Sequence, residues 1–106
     1  MLVTPASSIA GHGVASTAGL VQGSTVRARH LGKDLIARMK NLAGGELEEY
    51  SDMILHAHEQ AMDRMIRQAE ALGATAVLDV RFSTAYVMGS AVEILVYGNA
   101  VVLDEL

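Results

Sequence analysis

The 106-residue sequence contains no cysteine and no tryptophan, and only one proline and one phenylalanine. Without cysteine there can be no disulfide framework, thiolate metal site or thiol redox chemistry. Three Tyr and the single Phe are the whole aromatic content. A core must therefore come from Val, Leu, Ile, Met and Ala, which requires backbones to pack closely. Positive charge is also scarce: eight Lys and Arg stand against twelve Asp and Glu, a net charge of −4. Binding to nucleic acid, or to an anionic membrane surface, needs a Lys/Arg face, so neither partner is expected. No apolar run approaches the roughly 18–20 residues that span a bilayer. The opening Met1-Leu2-Val3-Thr4-Pro5 has neither the basic start nor the apolar stretch of a secretory signal. A cytoplasmic protein is the resulting expectation.

What is present describes a folded chain. A hydrophobic fraction of 51% against 19% charged residues is that of a globule, and the length fits a single domain over residues 1–106. Met1 to Thr4 can form a short strand, ended by Pro5. From Val14 to Ala28, small and β-branched residues alternate, with Gly19 and Gly23 interrupting. Fifteen straight residues would reach roughly 50 Å, long for such a domain, so one bent strand or two are expected. Gly32 to Leu42 carries Leu35, Ile36, Met39 and Leu42 at helical spacing, followed by Gly44-Gly45. A long amphipathic helix is predicted over Glu46 to Leu72, with acids in its first turn and Gly73 as its stop. In Ala76 to Phe82, the residues Ala76, Leu78, Val80 and Phe82 alternate as one strand face. Thr84 to Ser90 supplies a hairpin connection, and Ala91 to Leu103 is apolar on both sides. A strand of that kind is normally covered on both faces, one by helices and the other here by a second copy of the chain. The expected fold class is α+β: a small antiparallel sheet in β-α-α-β-β order with one long helix packed on it.

At 100° per residue the long helix divides into lines. Leu47, Tyr50, Ile54, Ala57, Ala61, Met65 and Leu72 form a core stripe, with Leu55, Met62 and Ile66 as a second apolar line beside it. That excess of apolar width points to a subunit contact or to cover by the short helix. His58 falls between Ile54 and Met62, where a packed or interface histidine is expected. A polar line runs through Glu48, Asp52, His56, Glu59 and Asp63. Within it Asp52, His56 and Glu59 are the candidate metal ligands, since imidazole and carboxylates on neighbouring turns suit a divalent ion such as zinc or nickel. The bland reading of the same line is a solvated helix face. No phosphate-binding loop, nucleophile elbow or nucleophile–base pair occurs, so no catalytic residue or cofactor-binding residue is assigned and an enzyme is the least favoured reading.

A set of residues spread along the chain carries a family resemblance. It comprises Gly44-Gly45, Tyr50, Ala57, Ala61, Ala69, Leu72-Gly73-Ala74-Thr75-Ala76-Val77, Val80-Arg81-Phe82 and Val92 to Val101, with Met1-Leu2-Val3-Thr4, Gly23, Val26-Arg27 and Lys33-Asp34 upstream. In these the chain resembles the YbjQ-like family, labelled "putative heavy-metal-binding". The resemblance implies a small α+β fold whose subunits assemble into a ring, a homopentamer, and a metal-related role. His58, Ser83 and Glu46 depart from the family's usual arginine, acidic and basic residues at those positions. Three functions are then expected, in descending order. The first is a homo-oligomeric protein binding a metal ion or small ligand at a ring interface. The second is a structural or partner-binding assembly module without metal, and the third an enzyme with a site between subunits.

Overall fold

The computed structural model describes residues 1–28, 45–87 and 91–105. Strands β1 (Leu2–Val3) and β2 (His12–Ala28) precede helix α1 (Gly45–Ala71), and β3 (Ala76–Val87) and β4 (Ala91–Glu105) follow it. The expected short helix at residues 32–42 lies outside the described residues. The strands form one sheet in the order β1-β3-β4-β2.

The sheet is mixed, not wholly antiparallel. β2 and β3 run antiparallel to β4, while β1 runs parallel to β3, pairing Leu2 with Ala76 and Val3 with Val77. Backbone amides explain it: Thr4 N–H reaches the Val77 carbonyl at 3.0 Å, and Val80 N–H returns to the Thr4 carbonyl at 3.1 Å. The N-terminal segment thus serves as an edge strand for the start of β3. The hairpin is also tighter than expected, because Thr84 to Val87 continue the ladder against Ile94 to Ala91.

β2 is a single long strand bent by two irregularities, between Val14 and Ser16 and between Thr17 and Gly19. Gly19 there adopts φ 127°, a region that residues with a Cβ rarely enter. Of the two expected forms, one bent strand or two, the single bent strand is the one present, and a fold of 55 × 23 × 16 Å with a radius of gyration of 17.5 Å accommodates its length. A compact domain of this length would have a radius near 13 Å.

α1 lies across β2 and β4. Ala57, Ala61, Met65 and Ala69 are fully buried, together with Val21, Val77, Ile94 and Val96 from the sheet. Alanines on the helix and Gly23 beneath it permit the close approach: a Cβ on Gly23 would strike the Ala61 carbonyl oxygen and lie 2.5 Å from the Met65 amide nitrogen. Leu72, expected in the core stripe, is exposed, and Ala69 takes its place. The helix ends one residue earlier, with Gly73 N–H bonded to Glu70 O at 2.9 Å and Ala74 N–H to Ala69 O at 3.1 Å.

The alternation along β3 is broken once. Leu78 pairs with Asn99 but Arg81 pairs with Tyr97, so Asp79 and Val80 together oppose Gly98. Asp79 takes a left-handed φ of 54°. This extra residue shifts every later side chain to the other face. Ala76 and Leu78 therefore pack on the back of the sheet with Val101, Ile9 and Leu103, whereas Val80 joins the core under the helix. The sequence expectation of one face for Ala76, Leu78, Val80 and Phe82 is corrected accordingly.

Candidate functional site

α1 presents three surfaces besides its core. On the side facing the free edge of β2, Gln60, Arg64 and Gln68 recur every fourth residue. Gln68 Oε1 accepts from Gln22 N–H at 2.7 Å, Arg64 Nη1 donates to Ser24 O at 2.6 Å, and Gln60 Oε1 accepts from Arg27 Nη2 at 2.9 Å. Gln68 and Arg64 thus occupy outward-pointing backbone groups of the edge strand, which would otherwise be open to pairing, while Gln60 holds the Arg27 guanidinium over the same edge. Nothing in the hydrophobic pattern marks this function; only the regular spacing of long polar residues does.

The outermost surface carries the polar line. His56 Nδ1 stands 3.9 Å from Glu59 Oε2, with both side chains about three-quarters exposed at 73% and 77%. Asp63 pairs with Arg67 at 3.0 Å. The side chain of Asp52 lies outside those described. Of the three sequence candidates, the structure thus brings His56 and Glu59 together on the solvent side. Among the described residues, no three His, Asp or Glu side chains converge in a group able to hold a metal ion.

The third surface is a groove of about 430 Å³ between α1 and β3, lined by His58, Glu59, Met62, Asp63, Ile66 and Phe82. His58, Met62 and Ile66 succeed one another at four-residue spacing, so they form its helical wall. Phe82 comes from β3 and faces the helix because of the extra residue at Asp79. Its ring meets that of His58 edge to face, with centroids 5.0 Å apart. His58 is therefore a packed histidine at the edge of the apolar face. Phe82 was readable from sequence only as a strand residue; its membership of the groove depends on the bulge.

Asp79 is itself held in place. Its Oδ1 accepts from Ser7 Oγ at 2.6 Å, its Oδ2 from Asn99 Nδ2 at 3.4 Å, and its backbone N–H donates to Ala6 O at 3.0 Å. Arg81 Nη1 donates to Pro5 O at 2.9 Å. The N-terminal segment thus clasps the residue that turns Phe82 toward the helix.

Much of the remaining sheet is uncovered. Leu20 and Val26, on the face of β2 away from the helix, are 68% and 61% exposed, and Tyr97 on β4 is exposed beside them. Leu55 on α1 is exposed as well. Beyond Val80, the outer edge of β3 has no partner strand among the described residues. No described helix is long and apolar enough to cross a membrane.

Comparison with known proteins gives a consistent result. The family described as "Putative heavy-metal-binding" (YbjQ-like) matches residues 1–104. A UPF0145 protein of Thermus thermophilus is 53% identical over 104 residues, covering 98% of this chain and 91% of that one. A UPF0145 protein of Halorubrum lacusprofundi is 52% identical over 101 residues, with 95% and 97% covered. A crystal structure of a protein of unknown function of the DUF74 family from Pediococcus pentosaceus superposes with a TM-score of 0.66. It covers 98% of both chains at 17% identity, a likeness of fold.

Proposed function

Because the chain belongs to the YbjQ-like, UPF0145 family, we propose that it acts as a homo-oligomeric binding protein for a metal ion or small ligand. The observation that carries the oligomer is the uncovered apolar surface of an elongated protomer. Leu20, Val26 and Tyr97 line an open sheet face in a molecule whose radius of gyration is 17.5 Å. On that face they stand among Gln22, Ser24, Glu93 and Asn99, a mixed surface of the composition that subunit interfaces present. The two long sheet edges also differ: that of β2 is partly occupied by α1 side chains, and that of β3 is free beyond Val80 among the described residues. Contact between unlike edges is head-to-tail, and such contacts close into rings when the rotation permits. A pentameric ring is the arrangement that the family resemblance favours, and the cytoplasm is the location expected from the sequence.

The binding half of the reading rests on α1. The Asp52, His56 and Glu59 line is its candidate for a divalent ion, supported by the approach of His56 to Glu59 on the solvent side. Light scattering at micromolar concentration tests the assembly, a monomer mass overturning it. Titration calorimetry with zinc and nickel tests the line, and a titration unchanged by His56→Ala rejects it. An assembly without ligand, the second reading, follows if the mass is a multiple of the chain and the titrations are silent. The uncovered face of β2 and β4 favours that reading as much as the first.

A further inference from the structure

We propose that the groove between α1 and β3 is a site for a soft monovalent d10 cation, Cu(I) or its redox-silent analogue Ag(I), held by the His58 imidazole and the Met62 thioether beside the Phe82 ring. The inference rests on the metal-binding half of the reading above but uses a different face of the helix and a different class of ion.

The donor inventory comes first. With no cysteine in the chain, methionine thioethers are the only soft ligands available. Among the described methionines, Met65 is fully buried in the core and Met1 is exposed, whereas Met53 and Met62 are partly buried and Met62 is the one that lines the open groove. Four residues separate it from His58, so the two side chains lie on adjacent turns about 40° apart around the axis, within reach of a common ion.

The two carboxylates at the groove rim point the choice of ion away from hard metals. Asp63 is paired with Arg67 at 3.0 Å, and Glu59 approaches His56 at 3.9 Å. What remains facing the groove is one imidazole, one thioether, the Ile66 side chain and an aromatic ring. Zinc is ordinarily held by four ligands, and no three His, Asp or Glu side chains converge among the described residues. Monovalent d10 ions accept low coordination by nitrogen and thioether sulfur and tolerate apolar surroundings. Phe82 adds a π-face whose quadrupole attracts a cation. A heavy-metal role and a cysteine-free sequence are thereby made compatible.

The test uses the full chain in its assembled state, with silver nitrate in chloride-free buffer and methionine labelled with 13C at the ε-methyl. The Met62 methyl resonance is expected to shift and saturate at one silver ion per chain while the other methionine methyls stay in place. Met62→Leu and His58→Gln should each weaken silver binding by at least about tenfold; Met62→Leu, which nearly conserves volume, should do so with the far-ultraviolet circular dichroism of the metal-free protein unchanged. His56→Ala should leave it as it was. An unmoved Met62 methyl overturns the proposal, as does wild-type silver affinity in Met62→Leu. Silver binding at Met62 by a monomer would uphold the site and reject the assembly. A silver-silent oligomer would do the reverse.

Discussion

The ring of Phe82 stands edge to face against that of His58, at a centroid separation of 5.0 Å, because Asp79 adds one residue to β3. Without that residue Phe82 would lie on the back of the sheet with Ala76 and Leu78, and the groove would lack its far wall. A single left-handed backbone position thus determines what the helix faces.

Asp79 tolerates its φ of 54° better than most residues and repays the conformation with bonds to Ser7 and Asn99. Asp79→Ala keeps the conformational cost and loses those bonds, so it should lower stability by about 1–2 kcal/mol in urea denaturation. Asp79→Gly should cost less than Asp79→Ala. Equal losses for both would show that the left-handed conformation is not what the position demands.

Gly23 is where the helix and the sheet touch backbone to backbone. Gly23→Ala would place a methyl on the Ala61 carbonyl, and Ala61→Leu would overfill the same contact. Each should destabilise by about 1–3 kcal/mol, read from the denaturation midpoint. An unshifted midpoint in either variant would contradict the helix placement.

Gln68 guards the edge of β2. Its replacement by alanine removes the acceptor of the Gln22 amide, at a cost of about 0.5–1.5 kcal/mol. Faster hydrogen exchange at the Gln22 amide, with core amides of β4 unchanged, is the expected signature. Exchange at the wild-type rate would mean that the bond does not protect the edge.

Much of this fold is legible in the sequence because its periodicities are strong. The helix over residues 45–71, its stop at Gly73, the bend near Gly19 and the two-sided strand β4 all follow from spacing and glycine placement. The rest depends on contacts that leave no periodic trace. β1 is two residues long and carries no alternation to reveal that it runs parallel to β3. The shift at Asp79 reads in sequence as an ordinary polar position, so alternation groups Val80 and Phe82 with Ala76 and Leu78, from which the extra residue separates them. His58 could be placed at the edge of the apolar face from its helix angle alone, but its aromatic partner depended on the bulge. Of the acid–histidine line, the side chains of His56, Glu59 and Asp63 lie on the solvent side of the helix, and the approach of His56 to Glu59 leaves no trace in the spacing.

The uncovered apolar face gives a mutational prediction. Leu20→Asp combined with Val26→Asp puts charges where a second copy is proposed to pack, leaving the helix-side core untouched. The double variant should sediment as a smaller species than wild type at the same concentration while retaining its far-ultraviolet circular dichroism. Identical sedimentation would place the contact elsewhere.

Native mass spectrometry of the wild-type chain tests the central claim most directly, since it counts subunits and retained ions together. The assembly account predicts one dominant species at an integral multiple of the 11.2 kDa chain mass, five being the multiple favoured by the family resemblance. A single species at 11.2 kDa under gentle conditions and micromolar concentration would contradict it.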